Sequence, residues 1–492
     1  MSRIAIIGSG FSGLAAACCA AKSGHKVDVL EQHEQAGGRA RSFSEQGFLF
    51  DMGPSWYWMP DVFDDFFAQF GKQTSDYYTL KKLDPGFQII FGRDDVLAIP
   101  ADRSALDELF ERVEPGSSRR LKVFLEEAAF KYRTGMQQLV YKPAFSWLEY
   151  ASLDVLKGIA GSHLFTDVHS YVCRYFRDDR LIDLMEFPVL FLGAMPSKIP
   201  ALYTLMNYAA LVQGTYYPMG GMGRIVEGMQ SLAEELGVQI HTGVRVDKID
   251  VESKKAKGVQ TSAGFFASDL VIASADYHHV EQKLLDEAYR NYDEDYWAGK
   301  TFAPSCLIFY IGVNKKIRKL QHHNLYFDSD FDRHVDEIYT KPQWPSDPLF
   351  YVCCPSKTDD SVAPEGMENL FLLVPVATGL EDTEAQREQY FDRLISRIEE
   401  HTGERFKEDI IFKKSYCVDD FARDYNAYKG NAYGLANTLR QTAVLKPKLK
   451  NRKVANLFYT GQLTVPGPGV PPALISGRIA AEQANQYLKN KR

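Results

Sequence analysis

The apolar positions of this chain fall into unbroken runs at its two ends and in its middle, with helical spacing between them. Ile4-Ala5-Ile6-Ile7 is closed by Gly8 and predicts a strand buried on both faces. A glycine turn and a helix carrying Cys18 and Cys19 follow, then Val27-Asp28-Val29-Leu30 as a second strand ending at Glu31. In the middle, Tyr217-Pro218-Met219-Gly220-Gly221-Met222-Gly223 opens a helix through Leu236. Residues 238–241, 244–249 and 258–261 predict strands, Gly264 a hairpin turn, and Leu270-Val271-Ile272-Ala273-Ser274 a buried parallel strand. Near the C-terminal end Leu457-Phe458-Tyr459-Thr460-Gly461 is another buried strand, and a Pro/Gly loop over 466–472 leads to a helix over 473–487. Between these parts, Val62, Phe63, Phe66, Phe67 and Phe70 stand at helical spacing, with Asp61 as the expected N-cap and Gly71 as the stop. Residues 106–113, 119–130 and 384–400 predict helices, and 87–91, 306–313, 349–353 and 370–376 predict strands.

Length sharpens this picture. A chain of 492 residues exceeds one compact core and implies two or three domains. With 27 Tyr and 31 Phe the composition favours a large apolar cavity. The net charge of -7 and the lack of a long basic run argue against nucleic acid as a partner. No apolar run reaches the roughly 18–20 residues that cross a bilayer, and the glycine turn follows Met1 too closely for a signal peptide to precede it. The seven cysteines are odd in number and lack zinc spacing, so they read as reduced thiols of a cytoplasmic protein. The 11 histidines form no ligand set in the sequence; His278-His279 and His322-His323 are adjacent pairs, expected to point different ways. No metal site is expected.

The chemistry begins at Gly8-Ser9-Gly10-Phe11-Ser12-Gly13. A glycine-rich turn between a strand and a helix, with an acid ending the next strand, is the dinucleotide fingerprint in its required context. Gly8 makes the tight turn, Gly10 admits a pyrophosphate against the backbone, and Gly13 lets the helix lie close to the strand. The helix N-terminus offers free N–H groups to phosphates, and Glu31 stands where a carboxylate binds ribose hydroxyls. The turn alone leaves NAD and FAD open; Gly37-Gly38-Arg39 and the distant C-terminal loop argue for FAD, because a simple NAD domain needs neither.

Three separated pieces then agree: the fingerprint with Gly37-Gly38-Arg39, the central Tyr217-Pro218-Met219-Gly220-Gly221, and Tyr459-Thr460-Gly461 followed by Pro466-Gly467-Pro468-Gly469-Val470-Pro471. Together they resemble the FAD-dependent amine-oxidase-like superfamily. More closely, with Gly47 to Pro54, Ala363-Pro364-Glu365-Gly366 and Asn426 to Gly430, the chain resembles bacterial phytoene-desaturase-type carotenoid desaturases, including 1-hydroxycarotenoid 3,4-desaturases. The resemblance covers essentially the full length. It implies an α/β fold: a Rossmann-like FAD-binding domain (1–75, 215–295 and 426–492), interleaved with a mixed-sheet substrate domain (76–115 and 296–425) and a helical subdomain (116–214) that contacts a membrane. It also implies that Gly8, Gly10, Phe11, Ser12 and Gly13 cradle the pyrophosphate and that Glu31 holds the adenosine ribose. Gly38, Arg39 and Ala40 then lie along the pyrophosphate and ribityl chain, and Gly53, Pro54 and Ser55 approach the flavin. Val246 contacts adenine, while Gly461, Val470 and Pro471 close the far end. Pro472 departs from the glycine common in the family and removes an N–H near the ring.

The implied reaction is removal of two hydrogens from neighbouring carbons of an acyclic carotenoid, one leaving as hydride to the flavin, with oxygen or a quinone as final electron acceptor. Asp419, Asp420, Asp424 and Glu149 are the acids considered as a base, though a surface carboxylate explains each better, and no catalytic residue is assigned. The apolar stretches 187–195, 203–212, 307–311 and 371–374 are candidates to line a tunnel, with ordinary core as the alternative. A lipid-soluble substrate implies docking on the inner face of the cell membrane without crossing it. Residues 141–150, with Leu156, Lys157 and Ile159, mix basic, aromatic and apolar groups suited to that contact; a buried helix is the equal alternative. A carotene isomerase, an amine or protoporphyrinogen oxidase and a prenyl-lipid escort protein are the rival readings.

Overall fold

The computed structural model describes residues 1–151, 163, 165–190 and 193–491. Arg3–Ile7 (β1), Phe11–Lys22 (α1) and Lys26–Leu30 (β2) form the opening unit. Ile4 to Ile7 are all at most 5% exposed, because β1 is the central strand of a five-stranded parallel sheet. Across that sheet the order is Leu457–Tyr459, Leu270–Ala273, β1, β2, Gln239–His241. Strands from both ends and the middle of the chain therefore share one sheet, as the three apolar runs require. A three-stranded antiparallel sheet over Val246–Glu252, Lys255–Thr261 and Gly264–Ala267 joins it.

α1 is buried on nearly every side, which its small residues permit. A Cβ on Gly13 would stand 2.1 Å from the Gly8 carbonyl oxygen, so only glycine lets α1 sit this close to the turn it follows. The helices Gly223–Glu235 and Val470–Lys489 pack against α1.

The second layer is a mixed seven-stranded sheet. Its order is Ile410–Tyr416, Ser305–Val313, Glu368–Val376, Phe350–Cys353, His323–Tyr326, Phe87–Gly92, Asp95–Ile99. Every residue of Ser305–Val313 is buried, and the strand period of two divides them between two cores. Leu307, Phe309 and Ile311 pack with Leu394, Ile395 and Ile398 of the helix Glu384–Thr402. Cys306, Ile308 and Tyr310 belong to the other core, on the side of the nucleotide unit.

Several helix starts differ from the sequence expectation, and two of them have a clear local cause. The C-terminal helix begins at Val470, not at 473, because Gly469 (φ 111°) turns the chain and Pro471 and Pro472 fit the first turn, where no N–H is needed within the helix. The aromatic helix is Pro60–Ala68 behind Met59 in the left-handed region; Asp61 is not its cap, and its carboxylate instead accepts from Tyr132 Oη at 2.7 Å. Among the described residues no helix is long and apolar enough to cross a membrane.

Candidate active site

The two layers enclose a cavity of about 470 Å³. One part is polar and built by the fingerprint. Gly8, Gly10, Phe11, Ser12, Glu31, Gly38, Arg39, Ala40, Gly53, Pro54, Ser55, Val246, Gly461, Val470 and Pro471 all line it. The strands of the parallel sheet end here, so their C-terminal turns converge as open α/β sheets require. Gly13 does not line the cavity; its role is the close contact beneath the turn.

Each polar group has a definite setting. Glu31 is 4% exposed, and its Oε2 accepts from Ser9 N at 3.0 Å and Ser9 Oγ at 2.6 Å, while Oε1 accepts from His33 N at 3.0 Å. Three of the carboxylate's roughly four lone-pair positions are used, which leaves one toward the cavity. Arg39 lies over the Tyr425 ring at 5.0 Å, and its buried Nε has no hydrogen-bond partner. Burial pulls its guanidinium below its usual range, and the neighbouring Asp276 pushes it back up. A desolvated cation with an orphaned donor is complementary to a phosphate. A Cβ on Gly10 would meet nothing within 4 Å, so the backbone there is bare toward the cavity. Two helix N-termini, at Gly10 and Gly469, add their positive ends to the same space. In the second, Pro471 and Pro472 leave Val470 as the one residue of the first three with an N–H. Ser12 Oγ lies 2.7 Å from Ser274 Oγ, and Thr460 N donates to the Ala273 carbonyl at 2.9 Å, which ties the three chain segments together around the cavity.

The other part is apolar. Trp56, Trp58, Phe187, Leu190, Met206, Phe327, Val335, Ile338, Leu349 and Leu373 line it. Of the tunnel stretches, Phe187, Leu190, Met206, Ile308 and Leu373 reach the cavity. Leu307, Phe309, Leu372 and Val374 do not, since alternate strand residues face away from the cavity; Phe371 shares the face of Leu373 without lining it. Residues 191 and 192 lie outside the described residues.

The four candidate acids stand elsewhere. Asp420 pairs with Arg387 and Arg423, Asp424 accepts from Tyr416 Oη, Asp419 is exposed, and Glu149 accepts from three backbone N–H groups of 144–146. Among the described lining residues the carboxylates are Glu31 and Asp276. Asp276 escaped the sequence reading, although its place just past the buried strand Leu270–Ala273 was the signal that could have found it. Its buried carboxyl is pushed up by desolvation and drawn back down by Arg39. In the apolar part His334 lies with Nε2 bonded to the Pro375 carbonyl at 3.0 Å and Nδ1 accepting from Leu349 N at 2.8 Å. Burial lowers it to about 4, so it stays neutral.

The fold brings two of the histidines, expected from the sequence to form no ligand set, together with a cysteine. One ligand atom from each of His322, His323 and Cys353 lies within 4.8 Å of the others. The strand register explains it: His323 stands opposite Cys353 in the ladder, and His322 turns toward its neighbour at the strand start, with ring centroids 4.4 Å apart.

A family model described as flavin containing amine oxidoreductase matches residues 11–485. The chain belongs to that family. A flavin held by an adenine dinucleotide fingerprint is FAD, and the bare Gly10, the orphaned Arg39 Nε and the free lone pair of Glu31 fit its pyrophosphate and ribose. The chain is therefore an FAD oxidoreductase. It is 43% identical over 483 residues to a carotenoid 3,4-desaturase of Haloarcula japonica, covering 97% of each chain. It is 33% identical to a zeta-carotene-forming phytoene desaturase of Myxococcus xanthus, covering 98% of this chain and 93% of that one. Among solved structures, an oxidoreductase from Methanosarcina mazei matches with a TM-score of 0.65 at 15% identity, covering 98% of this chain and all of that one. Cyclohexylamine oxidase from Brevibacterium oxydans matches at 0.60 and 14%, covering 99% of each. These two share the fold.

Proposed function

We propose that this flavoprotein introduces a C=C bond into an acyclic carotenoid, most closely as a 3,4-desaturase. The observation that carries the reading is the apolar arm of the cavity, continuous with the dinucleotide site, in a chain 43% identical over its length to a carotenoid 3,4-desaturase. A hydrocarbon rod needs such a wall of aromatic and aliphatic groups. A carboxylate to pair with an amine cation is not offered by the apolar arm, since the described lining carboxylates, Glu31 and Asp276, are tied to the nucleotide end.

FAD, when bound, supplies the hydride acceptor. The chain supplies the rest. Gly8, Gly10, Ser12 and Arg39 would hold the pyrophosphate, Glu31 the ribose, and the 53–55 turn with Val470 the ring end. Trp56, Phe187 and Leu373 exclude water and hold the polyene. His334 has both nitrogens occupied and offers no proton acceptor to the substrate. The nucleotide-binding domain over 1–75, 215–295 and 426–492, with substrate and helical parts between, remains the division we favour.

A membrane surface is the source of such a substrate. Trp147 is 62% exposed, Leu148 82% and Phe165 89%, an unusual outward display of large apolar groups. A capping box between Ser146 and Glu149 folds the acid back and turns Trp147 and Leu148 out. Buried core is thus a poor account of this segment, and interfacial insertion is the reading it supports. Leu156, Lys157 and Ile159 lie outside the described residues.

Expression in bacteria accumulating phytoene, neurosporene or 1-hydroxylated carotenoids tests the substrate. A red shift of the pigment spectrum is expected with the 1-hydroxylated series. No shift with any of the three overturns the proposal.

A further inference from the structure

The cluster of His322, His323 and Cys353 lies behind the cavity wall and takes no part in the reading above. We propose that it is a binding site for one soft monovalent metal ion, cuprous copper, held by the two imidazoles and the thiolate.

Four observations carry this. All three side chains are buried, at 4%, 0% and 2% exposure. One ligand atom from each lies within 4.8 Å of the others. Both Nε2 atoms are buried without any hydrogen-bond partner, which an interior imidazole rarely tolerates. Both Nδ1 atoms are held from behind: His322 by Thr358 Oγ1 at 2.7 Å and His323 by Tyr351 Oη at 2.6 Å. A hydrogen bond on one ring nitrogen that orients the other is the outer-shell arrangement of metal-binding histidines. His323 is further fixed by parallel stacking on Trp56, centroids 4.0 Å apart. Metal–nitrogen and metal–sulfur bonds of about 2.0 and 2.3 Å set ligand atoms roughly 3.5–4 Å apart, which falls within the 4.8 Å span of these three.

Charge selects the ion. Two neutral imidazoles and one thiolate carry a single negative charge, which a monovalent ion cancels. A divalent ion would leave a net positive charge in a buried pocket. The carboxylates nearby are committed elsewhere, Asp359 to Gly220 N and Asp51 to Met222 N and Gly223 N. Thiolate and imidazole are also the ligands that soft cuprous ion prefers. On binding, the Cys353 proton leaves to solvent, a Cu–S bond forms, and no oxidation state changes.

The test uses flavin-loaded protein without oxygen, with cuprous ion offered as its complex with a chromophoric chelator. The wild type is expected to withdraw one equivalent. Cys353→Ser and, separately, His322→Gln should each weaken retention about 100-fold, given that outer-shell losses alone cost about 10–100-fold. Flavin content and melting temperature report that each variant is folded. Cys173→Ser, at an exposed thiol, should change nothing. Failure of the wild type to hold an equivalent, equal retention by Cys353→Ser, or retention of zinc in preference to cuprous ion would each overturn the assignment.

Discussion

Gly477 of the C-terminal helix rests on the Ser12 carbonyl of α1: a Cβ at Gly477 would stand 2.1 Å from that oxygen and 2.9 Å from Ala15 Cβ. The last helix of the chain and the first therefore meet backbone to backbone, directly under the dinucleotide turn. Gly477→Ala must push the helices apart, at about 1–3 kcal/mol for overpacking. A lower melting temperature is expected, together with a lower flavin content, since Gly461 and Val470 move with that helix. An unchanged melting curve would contradict the contact.

Gly10 gives the opposite case. Open space surrounds its would-be Cβ, so Gly10→Val costs little in folding. The same side chain occupies the ground assigned to the pyrophosphate. Protein of near wild-type stability but without yellow colour is expected, read as flavin absorbance per chain. A variant that keeps its FAD would remove Gly10 from the phosphate site.

This contrast shows what the sequence could reveal. Both glycines belong to one motif; its spacing assigned Gly10 to the pyrophosphate and Gly13 to close packing of the helix, while the family resemblance counted both in the pyrophosphate cradle. The structure sides with the spacing: Gly10 is bare toward the cavity and Gly13 lies against the Gly8 carbonyl. The parallel strands were legible because four apolar residues in a row have few other solutions. The start of the last helix was misread because prolines 471 and 472 look like loop until Gly469 is seen to turn the chain into them. The pairing of His323 with Cys353 was out of reach, since it depends on which strands become neighbours, whereas the end of the strand Leu270–Ala273 marked the place of Asp276.

The helix Asp179–Leu190 carries a pH-dependent cost. Burial, reinforced by Glu186, Asp179 and Asp332 and opposed by His169, raises the Asp183 carboxyl to about 7. Glu186, bonded to His169 Nδ1 at 2.8 Å, is also raised, chiefly by burial. A carboxyl raised in the folded state favours folding while it stays protonated, and that advantage is lost as pH rises from about 4 through 7. The melting temperature is therefore expected to fall between pH 5 and pH 8. Asp183→Asn should flatten that fall, and a parallel slope in the variant would show that Asp183 does not titrate there.

Membrane docking makes the last prediction. Trp147, Leu148 and Phe165 are held outward, Trp147 and Leu148 by the turn that Ser146 and Glu149 cap. Moving a large apolar side chain out of water contributes about 1.5–3 kcal/mol, roughly 10–100-fold in affinity per residue. Trp147→Glu combined with Leu148→Glu should abolish co-sedimentation with phospholipid vesicles and leave FAD content unchanged, because neither residue lines the cavity. Activity should then fall on vesicle-borne carotenoid and persist on carotenoid presented in detergent micelles. Equal losses in both would place the defect in the cavity, and undiminished vesicle binding would show that this surface does not meet the lipid.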